Sequence, residues 1–183
     1  MSTKRIQLII TVLFILCLVP STVSSQIQRN FWGLELGRST RESVKDLLSS
    51  NGLQYEDNYI GRDAICITDY RELGFGGYSW AVFFTFYNNI LYGIDLFRDN
   101  EGFSITTGEK YEIDTKSIFY DLRGKLRNKY GNFEEINTGK PNSLYVVRDN
   151  ATVVQIELLE TNCLSLRYGD RRLARMAQSG SDL

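Results

Sequence analysis

One pattern occurs twice in this chain and constrains its fold more than any other feature. A short amphipathic helix ends at a glycine and is followed by three alternating strands. The first copy runs from about Ser39 to Phe97, the second from about Asp114 to Tyr168. Helices of this length are marginal alone in water, and strands with one apolar face must bury it. The simplest solution is an α+β domain of two α-β-β-β repeats, an antiparallel sheet with the helices packed on one face. The other face meets water or a partner.

The first copy is preceded by Phe31-Trp32-Gly33-Leu34-Glu35-Leu36-Gly37, an alternating stretch that reads as a short entry strand or extended arm. Ser39-Thr40-Arg41-Glu42 fits a capping box. Val44, Leu47 and Leu48 then form one apolar stripe, and Gly52 suits a left-handed stop. Three strands are expected. Ala64 to Thr68 has Ile65 and Ile67 inward. Ser79 to Tyr87 has Trp80, Val82, Phe84 and Phe86 inward. Ile90 to Phe97 has Ile90, Tyr92, Ile94 and Leu96 inward. Asn88-Asn89 predicts a tight turn between the last two. Residues 98 to 113 read as a polar connecting loop.

In the second copy Asp114 or Thr115 caps a helix whose apolar face is Ile118, Phe119, Leu122, Leu126 and Tyr130, ending at Gly131. Strands are expected at Leu144 to Arg148, Thr152 to Leu159 and Asn162 to Tyr168. Their inward residues read as Leu144, Val146, Val154, Ile156, Leu158, Leu164, Leu166 and Tyr168. Arg171 to Met176 suits one helical turn or two, followed by a frayed end.

Residues 1–25 read as a secretory signal peptide, leaving 26–183 as a single domain. Lys4 and Arg5 form a positive start and Ile6 to Val19 an apolar run too short to span a bilayer comfortably. Val23 and Ser25 stand at −3 and −1 of a cleavage site before Gln26. An uncleaved anchor is the alternative. Cys17 lacks a lipobox, because Leu16 precedes it. The expected location is therefore secreted or periplasmic, with no stable membrane span after cleavage. Cleavage leaves 19 Lys+Arg against 22 Asp+Glu, without the basic stripe a nucleic-acid partner requires.

Histidine is absent, at 0 residues. That removes Ser-His-Asp and Cys-His nucleophiles and the usual imidazole zinc sites. Asp57, Asp63, Asp99 and Glu101 do not follow a calcium-loop spacing. Gly74, Gly76 and Gly77 lead into a strand, whereas a phosphate loop leads into a helix. No cofactor or metal is expected. Cys66 and Cys163 are an even pair in a chain bound for an oxidising compartment. Parity puts both on the same face of one sheet, but bonding also needs their Cα atoms within about 7 Å; two separate thiols are the alternative.

The opening Phe31-Trp32-Gly33-Leu34-Glu35-Leu36-Gly37, with Ser39 and Val44-x-x-Leu47-Leu48, resembles the F-x-G-(I/L)-x-L-G-x-S start of small exported proteins with a β-lactamase-inhibitor-protein-like fold. Leu126 with Lys129-Tyr130-Gly131, and Leu164 to Tyr168 before Asp170, are similar to the second half of such domains. The single-repeat relatives are the SmpA/OmlA (BamE) lipoproteins of outer-membrane assembly. These motifs are mostly core positions and glycines, which carry fold rather than function. The resemblance implies protein binding, not catalysis, through the open sheet face. The missing lipobox and the second copy weigh against a barrel-assembly role.

Reading the opposite parity of each strand gives that open face: Phe83, Tyr87, Asp95, Phe97, Tyr145, Val147, Gln155, Glu157, Ser165 and Arg167. Aromatics interspersed with charges match the composition of protein contact sites. Phe83, Tyr87, Asp95, Phe97, Tyr145, Glu157 and Arg167 are the candidate binding residues. The leading expectation is a non-catalytic module contacting an unknown protein or envelope component. One alternative is a glycan-acting hydrolase, which needs two carboxylates facing each other across a cleft. The other is a structural subunit with the aromatic face buried in a homodimer.

Overall fold

The computed structural model describes residues 26–59, 63–67, 74–103, 110–136 and 143–180. The expected signal peptide at residues 1–25, residue 68 of the first expected strand and the middle of the 98–113 connection lie outside them. Helix α1 (Arg41–Ser50) is followed by β1 (Tyr55–Asp57), β2 (Ala64–Ile67), β3 (Ala81–Tyr87) and β4 (Ile90–Arg98). Helix α2 (Thr115–Tyr130) is followed by β5 (Glu134–Ile136), β6 (Ser143–Arg148), β7 (Thr152–Leu158) and β8 (Leu164–Asp170), and α3 (Arg171–Gly180) comes last. The strands form one 8-stranded antiparallel sheet in the order β1-β2-β3-β4-β8-β7-β6-β5. This is an α+β fold.

Local chemistry explains the boundaries. Thr40, not Ser39, caps α1: its hydroxyl accepts from the Ser43 N–H, while Ser39 Oγ accepts from the Glu35 N–H. At the other end the Leu53 N–H reaches Leu48 O and the Gly52 N–H reaches Ser49 O, with Gly52 at φ +68. These two bonds satisfy carbonyls the helix leaves open. Asp114 caps α2 by accepting from the Ser117 N–H, and Gly131 ends it at φ +90. Asn88 and Asn89 both take positive φ and close the β3–β4 hairpin.

The core lies between the sheet and the first two helices. Val44 and Leu48 of α1 and Phe119, Leu122 and Leu126 of α2 pack with Val82, Phe84, Ile94, Leu96, Ile156 and Leu166 in one buried cluster. Phe31 sits against Tyr168 with ring centroids 4.6 Å apart. Each such side chain contributes about 1.5–3 kcal/mol by leaving water, which is what stabilises helices this short.

Several expectations are corrected. Trp32 at φ +52 and Gly33 at φ +86 turn the entry stretch back on itself, so Asn30–Phe31 pairs with Leu34–Glu35. Each of the first two helices is followed by four strands of the main sheet, not three, because the short polar strands β1 and β5 close the sheet edges. Their sequences, Tyr55-Glu56-Asp57 and Glu134-Glu135-Ile136, carry the acidic charge that discourages edge pairing with another chain. The 98–113 connection contains an antiparallel ribbon, Glu101–Phe103 with Lys110–Glu112.

α3 is a ten-residue helix that runs back across β8, β4 and β3. Its buried Leu173 stands outside the main core cluster. Ala64, Gly93 and Gly169 are buried small residues at the matching end of the sheet's second side. α3 therefore covers that end, opposite α1 and α2, and the helices do not all share one face.

Two carboxylates tie the Ile27–Arg29 segment to the β6–β7 turn and the start of α3. Arg29 Nη2 pairs with Asp170 Oδ2 at 2.5 Å, and Asp170 Oδ1 accepts from the Leu173 N–H to cap α3. Gly37, at φ +82, lies so close that a Cβ there would stand 2.7 Å from Asp170 Oδ2. Asp149 accepts from the N–H groups of Ile27, Ala151 and Thr152. Burial opposes ionisation of both carboxyls. For Asp149 those backbone donors, aided by Arg29, outweigh it; for Asp170 the Arg29 hydrogen bond and the α3 backbone do. Both carboxyls are held below the usual carboxylate range.

A depressed folded pKa stabilises fully above the unfolded value, near 3.9 for Asp, and is lost as pH falls through the folded value. The urea midpoint is therefore expected to stay flat from about pH 6 to 5 and to drop below about pH 4. A midpoint unchanged down to about pH 3 would contradict these assignments.

Candidate functional site

The sheet side opposite α1 and α2 is built row by row from cross-strand partners. Cys66, Phe83, Asp95, Arg167 and Gln155 are successive partners across β2, β3, β4, β8 and β7. Ala81, Phe97, Ser165 and Glu157 form the next row. α3 covers a different end of this side, so these two rows carry the candidate site.

At their centre Arg167 Nε lies 3.0 Å from Asp95 Oδ1. The Arg167 side chain is 41% exposed and that of Asp95 only 12%, so water screens the cation while the carboxylate depends on its protein partners. The pair fixes the orientation of both groups. Beside it stands an aromatic cluster. The Phe83 and Phe97 rings meet edge to face, with centroids 5.4 Å apart and planes at 89°. Tyr59 meets Phe83 at 5.6 Å. Phe97 is 36% exposed, among the most exposed large apolar side chains of the described residues.

The structure brings five predicted binding residues together here: Phe83, Asp95, Phe97, Glu157 and Arg167. Tyr87 shares their strand parity, but it lies four residues along β3 from Phe83, about 13 Å away, at the Asn88-Asn89 turn. Tyr145 is on the other side. It pairs with Ile156, Val147 pairs with Val154, and Leu144 and Val146 instead face the open side opposite Glu157 and Gln155. The Tyr145 ring packs against Phe119, and the Arg123 guanidinium lies 3.9 Å from its centroid. Tyr145 is therefore part of the helix-side core. Tyr59, which precedes a segment without periodicity, was not anticipated in the cluster.

Cys66 and Cys163 are free thiols. β3 and β4 lie between β2 and β8, so three strand steps, about 14 Å, separate the two residues laterally, beyond disulfide reach. The bond that strand parity permitted does not form, and the two residues are separate thiols. Burial pushes the Cys66 thiol up to about 11. Burial, then the hydrogen bond to Asp99 Oδ1 at 2.7 Å, raises Cys163. Neither is a thiolate nucleophile at neutral pH.

One concavity of about 320 Å³ lies beside α2, lined by Arg123, Arg127, Asn132 and Phe133. No carboxylate lines it, so it does not supply the facing acids of a glycosidase. Among the described residues no group of three or more His, Cys, Asp or Glu side chains could hold a metal ion, and no helix is long and apolar enough to cross a membrane. No family model, curated protein or solved structure matches the chain.

Proposed function

We propose that this chain is an exported, non-catalytic protein-contact module that binds its partner through the two rows of the second sheet face that α3 does not cover. The observation that carries the proposal is the Phe83–Phe97–Tyr59 cluster beside the Asp95–Arg167 pair, on the side α1 and α2 leave uncovered. Aromatic anchors beside an oriented arginine are the usual energetic centre of protein interfaces. The charged, three-residue edge strands disfavour capture by strand addition.

Export follows from the positive start, apolar run and small residues before Gln26. The order of elements supports a duplicated unit: a helix followed by four strands of the main sheet occurs twice, and the last strands of the two units, β4 and β8, pair at the centre of the sheet.

The test is partner recovery from envelope extract on immobilised protein, followed by affinity measurement with the recovered partner. Phe97→Ser and Arg167→Gln are each expected to weaken binding by at least ~5-fold, the scale of a hot-spot contact; the urea midpoint should stay nearly unchanged in Phe97→Ser and fall modestly in Arg167→Gln, which removes the cation beside the buried Asp95. Undiminished binding by both variants would overturn the proposal. Recovery of the same chain alone, as a face-to-face dimer, would favour a structural homo-oligomer instead.

A further inference from the structure

We infer that the groove beside the C-terminal half of α2 is a second binding site, which takes carboxylate side chains from an acidic segment of a partner protein. It lies on the helix side of the sheet, away from the Phe83–Phe97 face, and does not depend on the function proposed for that face.

Arg123 and Arg127 are one helical turn apart on α2, close enough for their side chains to be neighbours. Each is held in place by something other than an anion. The Arg123 guanidinium rests on the Tyr145 ring at 3.9 Å. Arg127 Nε donates to Asn132 Oδ1 at 3.1 Å, leaving both Nη groups outside that bond. Among the described residues neither guanidinium is in an ion pair, whereas the neighbouring Lys125 pairs with Asp121 at 2.7 Å. Two oriented guanidinium forks are suited to bidentate carboxylate binding.

The charge around the groove is local. The whole chain has a net charge of −1, yet α2 carries Lys116, Arg123, Lys125, Arg127 and Lys129 against the single acid Asp121. Its volume of about 320 Å³ is at the small end for a ligand pocket, which suits one or two side chains. Phe133 forms an apolar wall, so an acidic segment with an apolar residue among its carboxylates fits better than a purely charged one. A long polyanion is disfavoured because β5 next to the groove carries Glu134 and Glu135. Glu134 is held by Arg148 at 2.7 Å. Glu135 stands opposite Tyr145 in the β5–β6 ladder and opposes any incoming anion.

The test is fluorescence anisotropy with the full mature chain and a labelled, end-blocked peptide Glu-Phe-Glu-Leu-Asp. Its amide counterpart Gln-Phe-Gln-Leu-Asn is the comparison. The acidic peptide is expected to bind at least ~10-fold more tightly, and to weaken as salt rises from about 50 to about 300 mM. Arg127→Gln, at an exposed position, should lower its affinity by ~5-fold or more. Lys116→Gln, on the first turn outside the groove, should leave it unchanged, and Glu135→Gln should raise it.

Equal binding of the two peptides would overturn the inference. So would equal losses in Arg127→Gln and Lys116→Gln, which would indicate a diffuse field. A short phosphodiester oligomer of matched charge binding as tightly as the acidic peptide would overturn the assignment to carboxylate.

Discussion

Replacing Asp170 with alanine is expected to cost about 3 kcal/mol of unfolding free energy, near the lower end for breaking a buried ion pair from one side. The carboxylate does two jobs. It neutralises Arg29, whose side chain is only 19% exposed, and it caps α3 through the Leu173 N–H. Losing the cap alone costs about 1 kcal/mol. Arg29 would retain Leu36 O, Thr152 Oγ1 and Ala151 O as acceptors, which keeps the total near the lower bound. Asp170→Asn can still cap α3 but cannot neutralise Arg29, so it should fall between the alanine variant and the unaltered chain. Urea denaturation gives the midpoints. Amide exchange should show α3 and the Leu36–Gly37 segment opening first, since Arg29 binds Leu36 O and Asp170 begins the helix. A loss below about 1 kcal/mol would mean the pair is no more than a surface contact.

Tyr145→Ala is the second large effect, at about 3 kcal/mol, the lower end for truncating a buried ring. Tyr145 is 8% exposed. Its ring fills the space between β6 and Phe119 of α2 and supports the Arg123 guanidinium, so removal leaves a cavity and an unsupported cation. Tyr145→Phe keeps the ring and should cost under about 1 kcal/mol. Phe97→Ala, on the exposed face, should also stay under about 1 kcal/mol. A tolerated Tyr145→Ala would put the ring on the open side, where strand parity in the sequence alone had placed it.

That reversal shows where the fold was legible in the sequence. β7 and β8 each set an apolar parity against a polar one, Val154-x-Ile156-x-Leu158 against Gln155 and Glu157 and Leu164-x-Leu166-x-Tyr168 against Ser165 and Arg167, so a one-residue slip would bury polar side chains. β6 reads Leu144-Tyr145-Val146-Val147, apolar on both parities. Its phase is set by the Asp149–Thr152 turn, where the Asp149 N–H reaches Thr152 O and fixes the register against β7. β4 begins Ile90-Leu91-Tyr92, also apolar throughout. A bulge there pairs Leu91 with Phe86 and leaves Tyr92 unpaired, so Leu91 is buried where Ile90 and Tyr92 had been expected.

Edge strands β1 and β5 have no period to read, because their side chains face solvent or the sheet rim. α3 owes its length to Asp170 and to packing across three strands, neither visible in Arg171-Arg172-Leu173-Ala174-Arg175-Met176. Most of the candidate face was legible because Phe83, Asp95, Phe97, Glu157 and Arg167 alternate with core residues. The cysteine separation was not, since parity gives the face and only strand order gives the distance.

Site-specific photo-crosslinking tests the central claim most directly. A photoreactive residue is placed at Phe97 or Glu157 on the open face, or at Asp46 on the exposed side of α1, and the protein is irradiated in envelope extract. The account expects one discrete crosslinked partner from positions 97 and 157 and none from position 46. Crosslinks from position 46 alone, or equal and heterogeneous labelling from all three, would contradict it.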